Sequence, residues 1–366
     1  MGFRPIVLWS SACCVLSCSS PPVVKAIEAG DAHVCALMGD GTVRCWGFNA
    51  LGQIGNGGTD DQLTPSRVSG LSNVVQLSLQ GNSSCALLTD GTAKCWGWNL
   101  HGQLGGDPDR KQLLRPEPVP GVSDAVEIRL GGDHGCARLR DGTVRCWGGN
   151  SGGAIGDGSA TSRPEATDVV APVASGRLER VTGLAMGESH SCAMLGDGTV
   201  SCWGSNQQGQ IAPADSSTLV QMVPTPIRGI ANPRSIDAGK YSTCAIAAPG
   251  AVRCWGSNGL GLLHDGSRDD RREPLDVYEL QNVTQIAMGF GRACAVISDG
   301  TVRCWGDGKG ARRVAGLTDA KQVSPGMGNA CALRKNGRVV CWGGNEHGAL
   351  GDGSRTSRDK PKEVRW

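Results

Sequence analysis

An all-β fold of seven blades around a common axis, a seven-bladed β-propeller, is what the sequence predicts, and three observations predict it. A block typified by CALMGDGTVRCWG, residues 35–47, occurs seven times along the chain. Glycine supplies 56 of 366 residues, too many for a helical bundle and suited to many tight turns. Each block is flanked by further short apolar runs, giving about four strands per fifty-residue repeat. Antiparallel units repeated radially bury one another's apolar faces.

The chain opens on a segment that reads as targeting rather than fold. Arg4 provides a short positive stretch, residues 5–16 (PIVLWSSACCVL) a modest apolar one, and V-L-S-C ends at Cys18 before SSPP. The run is too short to span a bilayer as a permanent helix. It resembles a bacterial lipobox, which implies a lipoprotein signal over residues 1–17, lipid on Cys18, and a linker over 18–25 ahead of a propeller at 26–366. Cysteine parity agrees: fourteen of the 17 fall in seven pairs, cleavage removes Cys13 and Cys14, and lipid consumes Cys18. The competing reading is an ordinary secretory signal. Either way the product is exported, in the cell envelope or fully secreted.

Cys-Trp-Gly begins at Cys45, Cys95, Cys146, Cys202, Cys254, Cys304 and Cys341, at spacings of 50, 51, 56, 52, 50 and 37. Ten residues before each stands Cys35, Cys85, Cys136, Cys192, Cys244, Cys294 and Cys331. Apolar alternation on both sides of Gly39-Asp40-Gly41 reads as a hairpin. A type I turn followed by a left-handed residue wants glycine third, where Gly41, Gly91, Gly142, Gly198, Gly250, Gly300 and Gly337 stand. This register opposes Leu37 to Val43 and Cys35 to Cys45. Opposed cysteines lie within disulfide reach, so each blade is expected to carry one cross-strand bridge. Zinc is the rival, but no second pair stands nearby at finger spacing. The fifth unit departs: Ala248-Pro249-Gly250 puts proline where a type I turn disfavours it, leaving that register open.

An apolar strand precedes each hairpin, as in VVQLSL (residues 74–79). N-x-x-G-Q-[LI]-G follows it, as in NALGQIG (49–55) and NLHGQLG (99–105), and P-x-x-V closes the unit (65–68, 361–364). The sixth unit has only DGKGARRVAGL (307–317) after CWG, which predicts a truncated loop or strand there. The third carries extra residues between 158 and 178, a surface excursion. The strand-like ending KEVRW offers residues 364–366 for pairing with the first blade.

The motifs G-x-x-H-x-C-A-L, D-G-x-V-x-C-W-G, N-x-x-G-Q-L-G and P-x-x-V resemble the regulator-of-chromosome-condensation repeat family over residues 26–366. The resemblance implies seven blades, and bacterial exported members with paired cysteines look closest, among them the β-lactamase inhibitory propellers. The family's founder acts on a small GTPase and holds chromatin through a basic tail. No such tail stands here and net charge is only +2, so nucleic-acid binding is not expected; an exported protein would not meet a cytosolic GTPase, so exchange activity is not expected either.

The repeated tryptophans at Cys+1 are expected to pack between blades. Trp98 occupies a place that elsewhere holds Phe48, Gly149, Ser205, Ser257 or Gly344, so it is a candidate contact residue, with local packing as the alternative. Two residues before each first cysteine stands a polar ring, His33, Ser83, His134, His190, Ser242, Arg292 and Asn329. Its plainer reading is hydrogen bonding to neighbouring turns; its functional reading is a binding rim. No nucleophile elbow, H-E-x-x-H or P-loop is present, and the acidic GDGS and DDRREP segments lack EF-hand spacing. The charge runs at 268–272 and 309–313 read as solvated loops. No cofactor, metal or catalysis is expected. The leading expectation is a monomeric scaffold for an unidentified protein partner, touching membrane only through its lipid. The alternatives are a glycan-binding propeller and an envelope lyase or hydrolase using His134 or His190 at the central mouth.

Overall fold

The structure, a computed structural model, describes residues 23–171, 176–211, 218–247, 250–278, 280–306 and 309–366. The lipobox and Cys18 lie outside these residues, as do Ala248 and Pro249. Seven four-stranded antiparallel sheets follow one another at 24–67, 74–118, 125–168, 181–226, 235–276, 283–313 and 320–363. No helix occurs among the described residues. Each sheet is a meander of inner, second, third and outer strand, so one sequence unit builds one blade. The first inner strand, Val24–Ala29, begins two residues before the expected boundary, because Val24 is buried and pairs with Met38.

The hairpin chemistry holds in every blade. Leu37 faces Val43, the Met38 amide donates to the Thr42 carbonyl, and Gly41 has φ +76°. Asp40 accepts from both the amide and the hydroxyl of Thr42, locking the turn. In the fifth blade Cys244 still faces Cys254, and Gly250 has φ +99°, so that register matches the others. All seven cysteine pairs are bridged, with Cα atoms 4.0–4.1 Å apart.

Second strands are buried almost throughout, since each sheet has a neighbour on both faces. Core clusters accordingly lie between blades, such as the one joining Val24, Ile27 and Trp46 to Cys331, Leu333 and Leu350. Six of the repeated indoles donate, at 2.7–3.0 Å, to a carbonyl in the N-x-x-G-Q-L-G loop of the preceding blade. Trp342 is the seventh, and no such bond is found for it among the described residues: the blade before it is the sixth, which lacks that loop.

The sixth blade nevertheless keeps four strands. Lys309–Arg313, expected as loop charge, is its outer strand, pairing Arg312 with Cys304. What is lost is the loop alone. The third blade's excursion is pinned by a bridge between Val170 and Arg177.

The expected pairing of 364–366 with the first blade does not occur. Val364 donates to the Val339 carbonyl within the seventh blade, and Trp366 packs edge-on against Trp46 at 5.9 Å. Side chains close the ring instead. The Gln322 amide exchanges two hydrogen bonds with the backbone of Ile27, at 3.0 and 2.8 Å, and Ser324 accepts from the Ala29 amide. Gln76 bridges to Ile128, and Gln285 to Val323, in the same way. Inner strands diverge around the axis, so a glutamine, which carries the donor and acceptor of a peptide group, stands in for the missing strand.

Candidate functional site

The polar ring expected at a rim lies inside the molecule. His33, Ser83, His134, His190, Ser242 and Asn329 are all buried, and Arg292 is half-buried. Residues two apart on a strand share a face, so the residue at Cys−2 points into the same inter-blade gap as the cystine. His33 Nε2 lies 2.8 Å from Ser84 Oγ on the next blade, His134 Nε2 2.7 Å from Ser191 Oγ, and His190 Nε2 3.0 Å from Thr243 Oγ1. Each hydroxyl gives its one proton to a backbone carbonyl, of Gln53, Ala154 and Gln210 respectively. Nε2 must therefore be the protonated nitrogen, and each carbonyl also accepts the indole of the hydroxyl's own blade. Nδ1 is buried and unpartnered in all three. Burial holds the three imidazoles neutral, lowering their pKa values from 6.5 to about 3, 4 and 3 for His33, His134 and His190. The two proposed bases are thus enclosed members of structural relays.

A readable rule accompanies these relays. Histidine occurs at Cys−2 only where the next unit has Ser or Thr at Cys−1; elsewhere the next blade offers Gly135, Ala293, Ala330 or Val34. Ser191→Ala is expected to cost about 1–3 kcal/mol, because the buried His134 Nε2–H loses its acceptor. Ser242→Ala, which removes a hydroxyl already without a partner, should leave stability within about 0.5 kcal/mol of the parent. Urea midpoints of both variants check this, and equal losses would contradict the relay.

Around the axis, residues of all seven inner strands line a cavity of about 300 Å³. Glu28, Arg129 and Asp237, from blades one, three and five, occupy the same register there. Burial raises Glu28 to about 7, with Asp237 adding to the shift and Arg129 opposing it. Asp237 is raised as well, again by burial against Arg129. Arg129 is itself engaged by Glu127 at 3.2 Å. These groups were not singled out from the sequence. Their signal is a charged residue seven places before the first cysteine of the blade, where other blades have Ser78, Ala185, Ala287 and Ser324.

The loops joining inner to second and third to outer strands share one face. Each framework Asn is consumed by its own loop: Asn49 Oδ1 accepts from Ile54, and its Nδ2 donates to the Gly58 and Asp60 carbonyls. In the DGS loops the carboxylate is already paired with an arginine. Asp157 meets Arg163 at 2.6 Å, Asp265 meets Arg271 at 2.7 Å, and Asp352 meets Arg358 at 3.3 Å. No cluster of three metal-ligating side chains occurs among the described residues. Trp98 is half-buried and packs edge-on against His101 at 5.4 Å. Leu100, Tyr241, Leu260 and Met327 are exposed on this face. At the channel mouth Asp31, Glu188 and Lys240 feel one another: burial raises both acids, Lys240 partly offsets each, and Lys240 Nζ sits 4.2 Å from the Phe290 ring centroid.

Models of the regulator of chromosome condensation (RCC1) repeat match residues 24–53, 74–103, 125–154, 181–210, 283–309 and 321–349, and also 40–87 and 90–138. The fifth hairpin, with Pro249, falls outside both. The chain is 27% identical to the ultraviolet-B receptor UVR8 of Arabidopsis thaliana, over 69% of this chain and 46% of that one. It is 32% identical to the probable E3 ubiquitin-protein ligase HERC4 of Rattus norvegicus, over 72% of this chain and 25% of that one. The chain thus spans less than half of either relative. Among solved structures, human WBSCR16 superposes with a TM-score of 0.76 at 21% identity, covering 89% of this chain and 95% of that one. Prp20p of Saccharomyces cerevisiae, described with its binding to Gsp1p and histones, gives 0.64 at 22% identity, covering 93% and 77%. These two likenesses concern the fold.

Proposed function

The chain belongs to the RCC1-repeat family, and on that premise we propose that it is an exported scaffold, anchored through lipid on Cys18, that binds a protein partner with its loop-bearing face. The observation that carries this reading is the division of labour among residues. Cystines, indoles, framework asparagines and buried histidines are used up in building the ring. Exposed apolar side chains that differ from blade to blade, Leu100, Tyr241, Leu260 and Met327, gather on one face. Variable loops on a rigid frame are where recognition surfaces are built. Prp20p, of like fold, is described with protein partners. Seven cystines suit an oxidising compartment, and the apolar run ending at Cys18 suits export.

Crosslinking and affinity capture of the tagged protein from its native envelope, read by mass spectrometry, tests the partner. A reproducible protein is expected with the parent and lost with Leu100→Asp/Leu260→Asp. Capture of the same proteins by that variant would sink this face as the binding surface. Cys18→Ala should move the chain from the membrane fraction to the soluble one; an unchanged fraction would rule out the lipid anchor.

A further inference from the structure

Between the seventh and first blades, on the same face, lies a pocket of about 320 Å³ lined by Asp31, Met327, Asn329, Glu346, His347 and Ala349, among others. Part of its polar lining is left over once the fold is built. Asn329 occupies the ring position that is histidine in three other blades, but the first blade presents Val34 where a hydroxyl would be needed. Its Nδ2 therefore has no acceptor, although the residue is only 2% exposed. Asp31 uses its backbone, not its carboxylate, to hold the seventh blade: its carbonyl accepts from the Met327 amide. The carboxylate is half-buried, and Lys240 across the mouth offsets only part of the cost of burial. Neither Asp31 nor Glu346 has an ion-pair partner among the described residues. His347, by contrast, is already held by Asp61 at 3.1 Å and by the Phe48 ring at 4.6 Å.

A buried donor seeking an acceptor, beside two carboxylates seeking a cation, specifies an occupant that carries both. We infer that this pocket receives a cationic segment of a protein partner, with an arginine or lysine side chain between Asp31 and Glu346 and a backbone carbonyl against Asn329 Nδ2. The inference rests on the scaffold reading above and names the chemistry of what docks. Met327 and Ala349 give the aliphatic stem of such a side chain an apolar wall.

The test is a titration of the full chain, followed by NMR or calorimetry, with Nα-acetyl-arginine methylamide and Nα-acetyl-lysine methylamide. Both should bind. The neutral citrulline isostere should be weaker by about tenfold, as should butylguanidinium, which has the cation but no carbonyl. Asp31→Asn should weaken the arginine probe about tenfold, and Glu346→Gln, at an exposed position, about two- to threefold. Equal affinity for citrulline, indifference to Asp31→Asn, or no binding of either probe at about 100-fold excess over protein would overturn the inference. The titration needs no native partner, so it judges the pocket whatever the capture experiment returns. A captured partner indifferent to Asp31→Asn would remove the pocket and leave the scaffold reading standing.

Discussion

Exposure of the native protein to dithiothreitol should release no thiols from six of the seven bridges, Cys294–Cys304 being the exception, whereas reduction in denaturant followed by removal of the denaturant should fail to restore the ring. Thirteen of the fourteen bridged cysteines are fully buried, and only Cys304 is half-buried. A thiolate must reach a sulfur to exchange with it, so reduction of the rest waits on unfolding. Each bridge closes a ten-residue separation, worth at most about 3 kcal/mol in chain entropy. The hairpin turn already brings those ends together, which trims the figure. Seven such increments together are on the scale of the whole net stability of an ordinary domain, about 5–15 kcal/mol.

A single staple can be removed cleanly. Cys192→Ala/Cys202→Ala should lose about 2–4 kcal/mol, combining lost loop constraint with the cavity left in the core between blades four and five. Thiol titration of the native parent and urea unfolding of the variant are the measurements. Fourteen titratable thiols in a protein that keeps its native near-ultraviolet circular dichroism would show that the bridges are dispensable to the fold.

How much of this was legible from residues alone depends on the range of the forces involved. The hairpin register was readable because it is local: Gly41 demands a left-handed turn, and that turn places Cys35 opposite Cys45. The indoles were readable because seven equivalent large apolar groups beside a cystine have only the inter-blade gap to fill. Burial of the polar ring was readable in principle, since His33 and Cys35 share a strand face, but its bonding required knowing that each blade meets the next one's Cys−1 residue. Glu28, Arg129 and Asp237 lie more than a hundred residues apart and meet only through radial closure. Closure itself misled for a related reason. KEVRW looks like a strand, yet glutamine clamps such as Gln322 to Ile27 already perform that work, and Val364 turns back into its own blade.

Acidification from pH 6.5 towards 5 should destabilise the fold through His33, His134 and His190. Their folded pKa values of about 3, 4 and 3 lie below the ordinary 6.5, so in this window the unfolded chain takes up protons that the folded chain refuses. Their contribution is fully present above pH 6.5 and is lost as pH falls, at about 1.4 kcal/mol per pH unit for each histidine. Glu28 has the opposite sign. Its folded value of about 7 exceeds the ordinary 4.5, so the folded state holds an extra proton between those limits and gains on acidification. Asp31, Glu188 and Asp237, also raised by burial, pull the same way as Glu28. The Asp–Arg loops lie outside this window, since Asp265, lowered to about 2 by its hydrogen bonds to Ser267 and Arg271 despite burial, gives up its stabilisation only below about 4. Because these acids oppose the histidines, the decisive measurement is a difference. His190→Asn places at the fourth blade the residue that the seventh carries at Asn329. It removes one titrating imidazole, so its stability should fall less steeply than the parent's by about 1.4 kcal/mol per pH unit between 6.5 and 5. Urea unfolding of both proteins at half-unit intervals reads that slope. Parallel profiles would mean that His190 takes up a proton in the folded state at its ordinary value, and the sealed relay through Thr243 would then be wrong.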